Sequence, residues 1–126
     1  MLPLFITEYA IGQSLYNGNL DQSKRDAHLT VGAIMGGLFT VNTGTGVWNW
    51  IEGRKDPNGG KKRSIHAWIM IAADVAMLAT ARMAPNLTTT LGLTSYEDDK
   101  ARHRNVAMIA LTTSTIGWVM MLFGGK

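Results

Sequence analysis

Cysteine is absent from this chain of 126 residues, which excludes disulfides, thiolate metal sites, iron–sulfur clusters and thioether-linked haem. Proline is scarce at three residues, so little interrupts helix formation. Charge is scarce too. Asp, Glu, Lys and Arg make up only 17% of the chain, and Ala27 to Ile51 contains none of them. No phosphate-binding loop, carboxylate-rich metal cluster or ordered Ser/His/Asp set stands out, which argues against a self-contained enzyme. The start, MLPLFITEYAIGQ, has an acid and no basic region before its apolar run, so it does not read as a signal peptide.

The mean hydropathy of +0.03 hides what is present, because the charges gather in a few loops. A helix over Ala27–Ile51 at about 1.5 Å per residue exceeds a bilayer's hydrocarbon layer of roughly 30 Å. Two further apolar stretches follow, one from Ile65 to Ala84 and one from Arg102 to Phe123. The N-terminal Leu2–Leu20 is apolar apart from Glu8 and stops at Tyr16-Asn17-Gly18-Asn19. The pattern predicts one all-α domain over 1–126, with helices at about 3–17, 27–51, 65–84 and 102–123. It is an integral membrane bundle with three spanning helices and an N-terminal fourth. Asp26 and Ser64 are the expected N-caps of the second and third helices.

Residues 52–64, EGRKDPNGGKKRS, form a short breaker with five basic side chains, forcing the flanking helices antiparallel. Trp48, Trp50, Trp68 and Trp118 fall towards that end. Counts of Lys and Arg at the two ends are nearly even, but interfacial tryptophan and basic residues little offset by acids favour the loop on the cytoplasmic side of a bacterial inner or equivalent energy-transducing membrane. The net charge of +3, with basic residues at helix ends, fits a lipid surface rather than nucleic acid. Asn86-Leu87-Thr88 fits the glycosylation acceptor pattern, a triplet common by chance.

Each of the three histidines opens an apolar stretch. Alternating helix directions bring His28 and His103 to the same end and His66 to the other. Two imidazoles at matching depth on neighbouring helices are what a six-coordinate haem b requires. The faces below them are short of bulk: Gly32, Met35, Gly36, Phe39, Asn42, Thr43 and Gly46 under His28, and Ala107, Ala110, Ser114 and Gly117 under His103. Such faces leave room for a flat cofactor, and they equally suit close helix packing, as at Gly32-x-x-x-Gly36. Arg102 and Arg104 flank His103 as candidate propionate partners.

Asp74 lies near the middle of its helix, where a carboxylate is costly and marks a functional or pairing site. One reading is proton-linked, with Glu8 as a second carboxylate. The other is a neutral Asp bonded to Asn42, Thr43 or Ser114. Arg82 at its helix end snorkels and needs no special role.

These features resemble the transmembrane cytochrome b proteins of the ascorbate-reductase kind and their bacterial four-helix relatives. The residues that carry the resemblance are His28, Ser64-Ile65-His66-Ala67-Trp68 and Ala101-Arg102-His103-Arg104. The family implies a helical bundle with one or two b-type haems that moves electrons across or within the membrane. Two bis-histidine haems need four histidines, and this chain has three. It therefore supports one haem, on His28 and His103, with His66 left over as a cofactor-binding candidate. His66-Ala67-Trp68-Ile69 is also similar to a segment of succinate dehydrogenase membrane anchors.

The expected function is a haem b electron carrier. The competing expectation is a cofactor-free accessory subunit, packed by its small-residue faces into a larger respiratory or photosynthetic complex or onto another copy of itself. Proton or small-solute transport through Asp74 would need oligomerisation to form a pathway.

Overall fold

The computed structural model describes residues 1–85 and 93–123, and Asn86-Leu87-Thr88 lies outside them. Four helices occupy this length: α1 (Leu2–Tyr16), α2 (Gln22–Gly53), α3 (Gly60–Arg82) and α4 (Leu93–Phe123). The protein is an all-α bundle, as the sequence pattern predicts, with no strand among the described residues.

Local chemistry sets the boundaries. Pro3 stands in the first turn of α1, where a missing N–H costs nothing. The helix ends at Asn17, and Gly18 follows at φ +93°, a conformation that favours glycine. The N-cap of α2 is Asp21 rather than Asp26, its carboxylate accepting from the Ser23 N–H at 3.0 Å. Asp26 lies inside the helix, where Gln22 Nε2 donates to it at 2.9 Å. Ser64 likewise caps nothing, because α3 begins a turn earlier at Gly60. The Ser64 hydroxyl donates to the Gly60 carbonyl and accepts from Trp50 Nε1 at 2.9 Å. At the other end α4 starts nine residues before Arg102 and absorbs the acidic run Glu97-Asp98-Asp99. Lys100 steadies that turn from 2.8 Å away from Glu97.

α3 packs most closely on α4, and the small residues of α4 explain why. A Cβ at Gly117 would stand 2.7 Å from Met70 Sδ and 3.3 Å from Ile69 Cγ2. Ala110 and Ser114, two turns and one turn back, are buried on the same line. α1 rests mainly on α2, where Phe5 stacks on Phe39 with ring centroids 6.1 Å apart. Met35, Phe39, Phe5 and Ala73 form the small central core.

Around that core the large apolar side chains face outwards. Leu29 is 67% exposed, Val41 63%, Val75 64% and Phe123 83%. A water-soluble bundle turns these residues in. Two helices, α3 and α4, are long and apolar enough to cross a membrane. That is narrower than the expected three plus one. α2 has the length at 32 residues, but Gly, Thr and Asn dilute its apolar character, and α1 at 15 residues is short of the roughly 20 that a span needs.

Candidate functional site

Because α2 and α4 run in the same direction, His28 and His103 reach the same end of the bundle. Their ring centroids lie 6.1 Å apart with planes at 76°. His66, near the start of the antiparallel α3, lies at the opposite end. This is the juxtaposition that alternating helix directions predict.

Each ring has its Nδ1 occupied by a neighbouring helix. His103 Nδ1 stands 2.9 Å from the Thr80 carbonyl oxygen on α3. A carbonyl only accepts, so Nδ1 carries the proton and Nε2 keeps its lone pair. His28 Nδ1 lies 3.0 Å from Glu8 Oε1 on α1, at ion-pair distance though without the alignment of a hydrogen bond. A carboxylate at that position also favours the proton on Nδ1. Nε2 is then the candidate metal-binding nitrogen of each imidazole, His103 backed by the Thr80 carbonyl and His28 by a carboxylate at ion-pair distance. Metal-ligating histidines are typically oriented in this way.

Glycine supplies the clearance. A Cβ at Gly12 would meet His28 Cε1 at 3.4 Å, and one at Gly32 would meet Glu8 Oε1 at 3.3 Å. These two positions let α1 sit close enough for its carboxylate to reach the ring.

Both histidines line a cavity of about 750 Å³, within the usual range for small-molecule and cofactor sites. Its inner walls are apolar, from Met35, Phe39, Met77 and Leu111, and its mouth is cationic. Arg25, Lys100 and Arg104 all line it. Arg104 lies over the Tyr16 ring at 4.8 Å and donates from Nε to Gln13 Oε1 at 3.2 Å. Lys100 Nζ stands 5.0 Å from the same ring.

Of the basic pair that the sequence singles out, only Arg104 lines the cavity. Arg102 is exposed on the outer face and lines neither this cavity nor a smaller one at the other end of the bundle. Lys100 and Arg25 take its place. Helical spacing carries that signal: residue 100 precedes Arg104 by one turn and residue 25 precedes His28 by one turn, whereas residue 102 points away.

The smaller cavity, of about 270 Å³, opens at the basic-loop end. It is lined by His66, Asn42, Asn49, Asp74, Ser114 and Trp118 among others. Phe39, Thr43 and Asp74 line both cavities, and so form the partition between them. There Thr43 and Asp74 are joined by a hydrogen bond, and Thr43 Oγ1 also lies 2.8 Å from the Phe39 carbonyl. The expected polar partner of Asp74 is thus Thr43. Ser114 instead donates to the Ala110 carbonyl at 2.7 Å.

The room expected along the two histidine faces is divided. Gly32, Met35, Gly36, Phe39, Thr43 and Ala107 line the larger cavity, and Asn42, Gly46 and Ser114 line the smaller one. Ala110 and Gly117 line neither and serve the packing of α4 on α3.

Comparison with known proteins finds no family model, no curated protein and no solved structure that matches this chain.

Proposed function

We propose that this chain is a membrane-embedded b-type haem electron carrier or electron-transfer subunit, with His28 and His103 as the axial ligands. The observation that carries the reading is the paired geometry of these two imidazoles. The two rings stand edge to face with centroids 6.1 Å apart and line the same cavity, where together they would hold a haem iron.

The surroundings support it. The Thr80 carbonyl fixes the tautomer of His103, Glu8 stands 3.0 Å from His28 Nδ1, the apolar walls would enclose a porphyrin, and Arg25, Lys100 and Arg104 would pair with its propionates. The haem would supply one-electron redox chemistry. The protein would set its potential through the two ligands and their oxygen partners. The resemblance to the transmembrane cytochrome b proteins of the ascorbate-reductase kind agrees with this reading. So does the apolar exterior, which suits lipid, in a bacterial inner or equivalent membrane with the basic loop 52–64 on the cytoplasmic side.

The test is an absorption spectrum of the purified protein. A reduced-minus-oxidised haem b difference is expected, and a protein that shows none after expression with haem available refutes the proposal.

A second reading rests on one observation. Gly37 and Gly44 lie on the outer side of α2, where a Cβ added at either would meet nothing within 4 Å, and the intervening Val41 is 63% exposed. Small residues in this arrangement admit a close neighbouring helix. On this reading the chain is a cofactor-free accessory subunit of a larger membrane complex, or pairs with its own copy. It would copurify with partner chains and be colourless alone.

A further inference from the structure

Two residues that line the smaller cavity each carry a buried polar atom with no hydrogen-bond partner among the described residues, His66 Nδ1 and Asp74 Oδ1. Eight residues of α3 separate them, about 12 Å along the helix axis. Between and around them stand Asn42, Thr45, Asn49 and Ser114. Unsatisfied buried polar atoms cost about 1–3 kcal/mol each unless something fills the gap, and beside the amides and hydroxyls of Asn42, Asn49 and Ser114 that something is water. At roughly 30 Å³ per molecule the space of about 270 Å³ has room for several.

All the lining residues come from the same end of the bundle. They come from the N-terminal part of α1, the C-terminal half of α2, α3 from His66 to Asp74 and the last turns of α4. Thr43 and Asp74, joined by their hydrogen bond, line this cavity and the larger one alike.

We propose that the smaller cavity is a water-filled half-channel that feeds protons from the basic-loop end to Asp74, beneath the floor of the larger cavity. His66 stands at its outer part and accepts or donates through Nδ1. Asp74 is its inner terminus, where Oδ1 exchanges a proton with the cavity water while Oδ2 keeps its bond to Thr43. No water column is needed beyond Thr43, so the path is one-ended. The water path is independent of the haem reading. Only its use, to offset the charge of an electron arriving in the larger cavity from a one-electron donor, rests on that reading.

The absence of cysteine makes the test direct. Single substitutions Ile71→Cys and Ser114→Cys line the half-channel from inside the bundle, while Val41→Cys and Val75→Cys lie on the outer face and line neither cavity. Each variant, in vesicles of defined orientation, is exposed to a membrane-impermeant thiosulfonate from one side at a time. Only the thiolate reacts, and each unit by which lipid raises a thiol's pKa slows it about tenfold. The half-channel positions should therefore label at least about tenfold faster than the outer ones, and only from the basic-loop side. Equal rates at all four positions, or labelling of the half-channel positions from the opposite side alone, overturn the proposal.

Infrared spectra of the wild-type protein and Asp74→Asn in D₂O give a measurement free of any cysteine variant. An Asp74 carboxyl band that shifts promptly on exchange supports the half-channel, and one that fails to exchange overturns it. Neither readout needs haem, so a colourless protein that passes both refutes the electron-carrier reading and leaves the half-channel standing.

Discussion

Thr43 of α2 and Asp74 of α3 are bonded at the level where the two cavities touch. A threonine hydroxyl has one proton and here has two oxygen neighbours, the Phe39 carbonyl and the Asp74 carboxyl. When that proton goes to the carbonyl, the bond to Asp74 has to be made by a proton on the carboxyl. The pair is therefore a structural contact and a proton position at once.

This contact predicts an order among variants. Thr43→Val removes the partner of a buried carboxyl and should destabilise the protein by about 1–3 kcal/mol. Thr43→Ser should be close to neutral. The double variant Thr43→Val, Asp74→Leu should recover part of the loss, because neither position is then left polar and unpaired. Thermal unfolding in detergent measures these and Asp74→Leu alone, and strict additivity of Thr43→Val and Asp74→Leu would contradict the coupling.

Haem content should separate the three histidines. His28→Ala and His103→Ala should each abolish the haem b absorption, whereas His66→Ala, at the far end of the bundle, should retain it. Loss of the band in His66→Ala with the fold intact by circular dichroism would move the site away from the larger cavity.

Glu8 should act through His28. Glu8→Ala leaves Nδ1 without its acceptor, and losses of such outer partners typically weaken metal binding roughly 10–100-fold. Glu8→Gln keeps an oxygen in place but removes the negative charge, so haem should stay bound with a raised reduction potential. A redox titration of the two variants reads the difference. A Glu8→Gln potential equal to the wild type would show that the carboxylate charge does not reach the ligand.

Gly117→Leu should separate α4 from α3. A Cβ there already falls 2.7 Å from Met70 Sδ, so a larger side chain overpacks the closest helix pair at a cost of about 1–3 kcal/mol. The matching change at Gly37, which faces open space, should leave the isolated chain unaffected. If Gly37→Leu instead breaks up an oligomer or strips a copurifying subunit, the accessory-subunit reading gains its interface.

Much of this arrangement can be read from residue order alone. Helix number and direction follow from apolar runs separated by short breakers, and direction is enough to bring His28 and His103 together. Helix ends are less legible. Asp21 and Asp26 are equally good caps on paper, and Asp21 takes the role because helical sequence continues back to Gln22. The basic run Lys61-Lys62-Arg63 reads as loop by charge, yet it forms the first turn of α3. The choice of Lys100 and Arg25 over Arg102 follows from the 100° step of a helix, which counts for more than adjacency to His103. Least visible is the partition. Phe39 and Thr43 look like ordinary interior residues and Asp74 stands out only as an isolated acid, and it is their packing that makes them the wall between two cavities.

α1 is the shortest helix, and it brings Glu8 and Gly12 against His28 while resting mainly on α2. The other three helices can pair without it, so the order of assembly matters. On the haem reading, the group would be most easily admitted before this segment docks, and the turn at Gly18 that joins α1 to α2 would govern its capture.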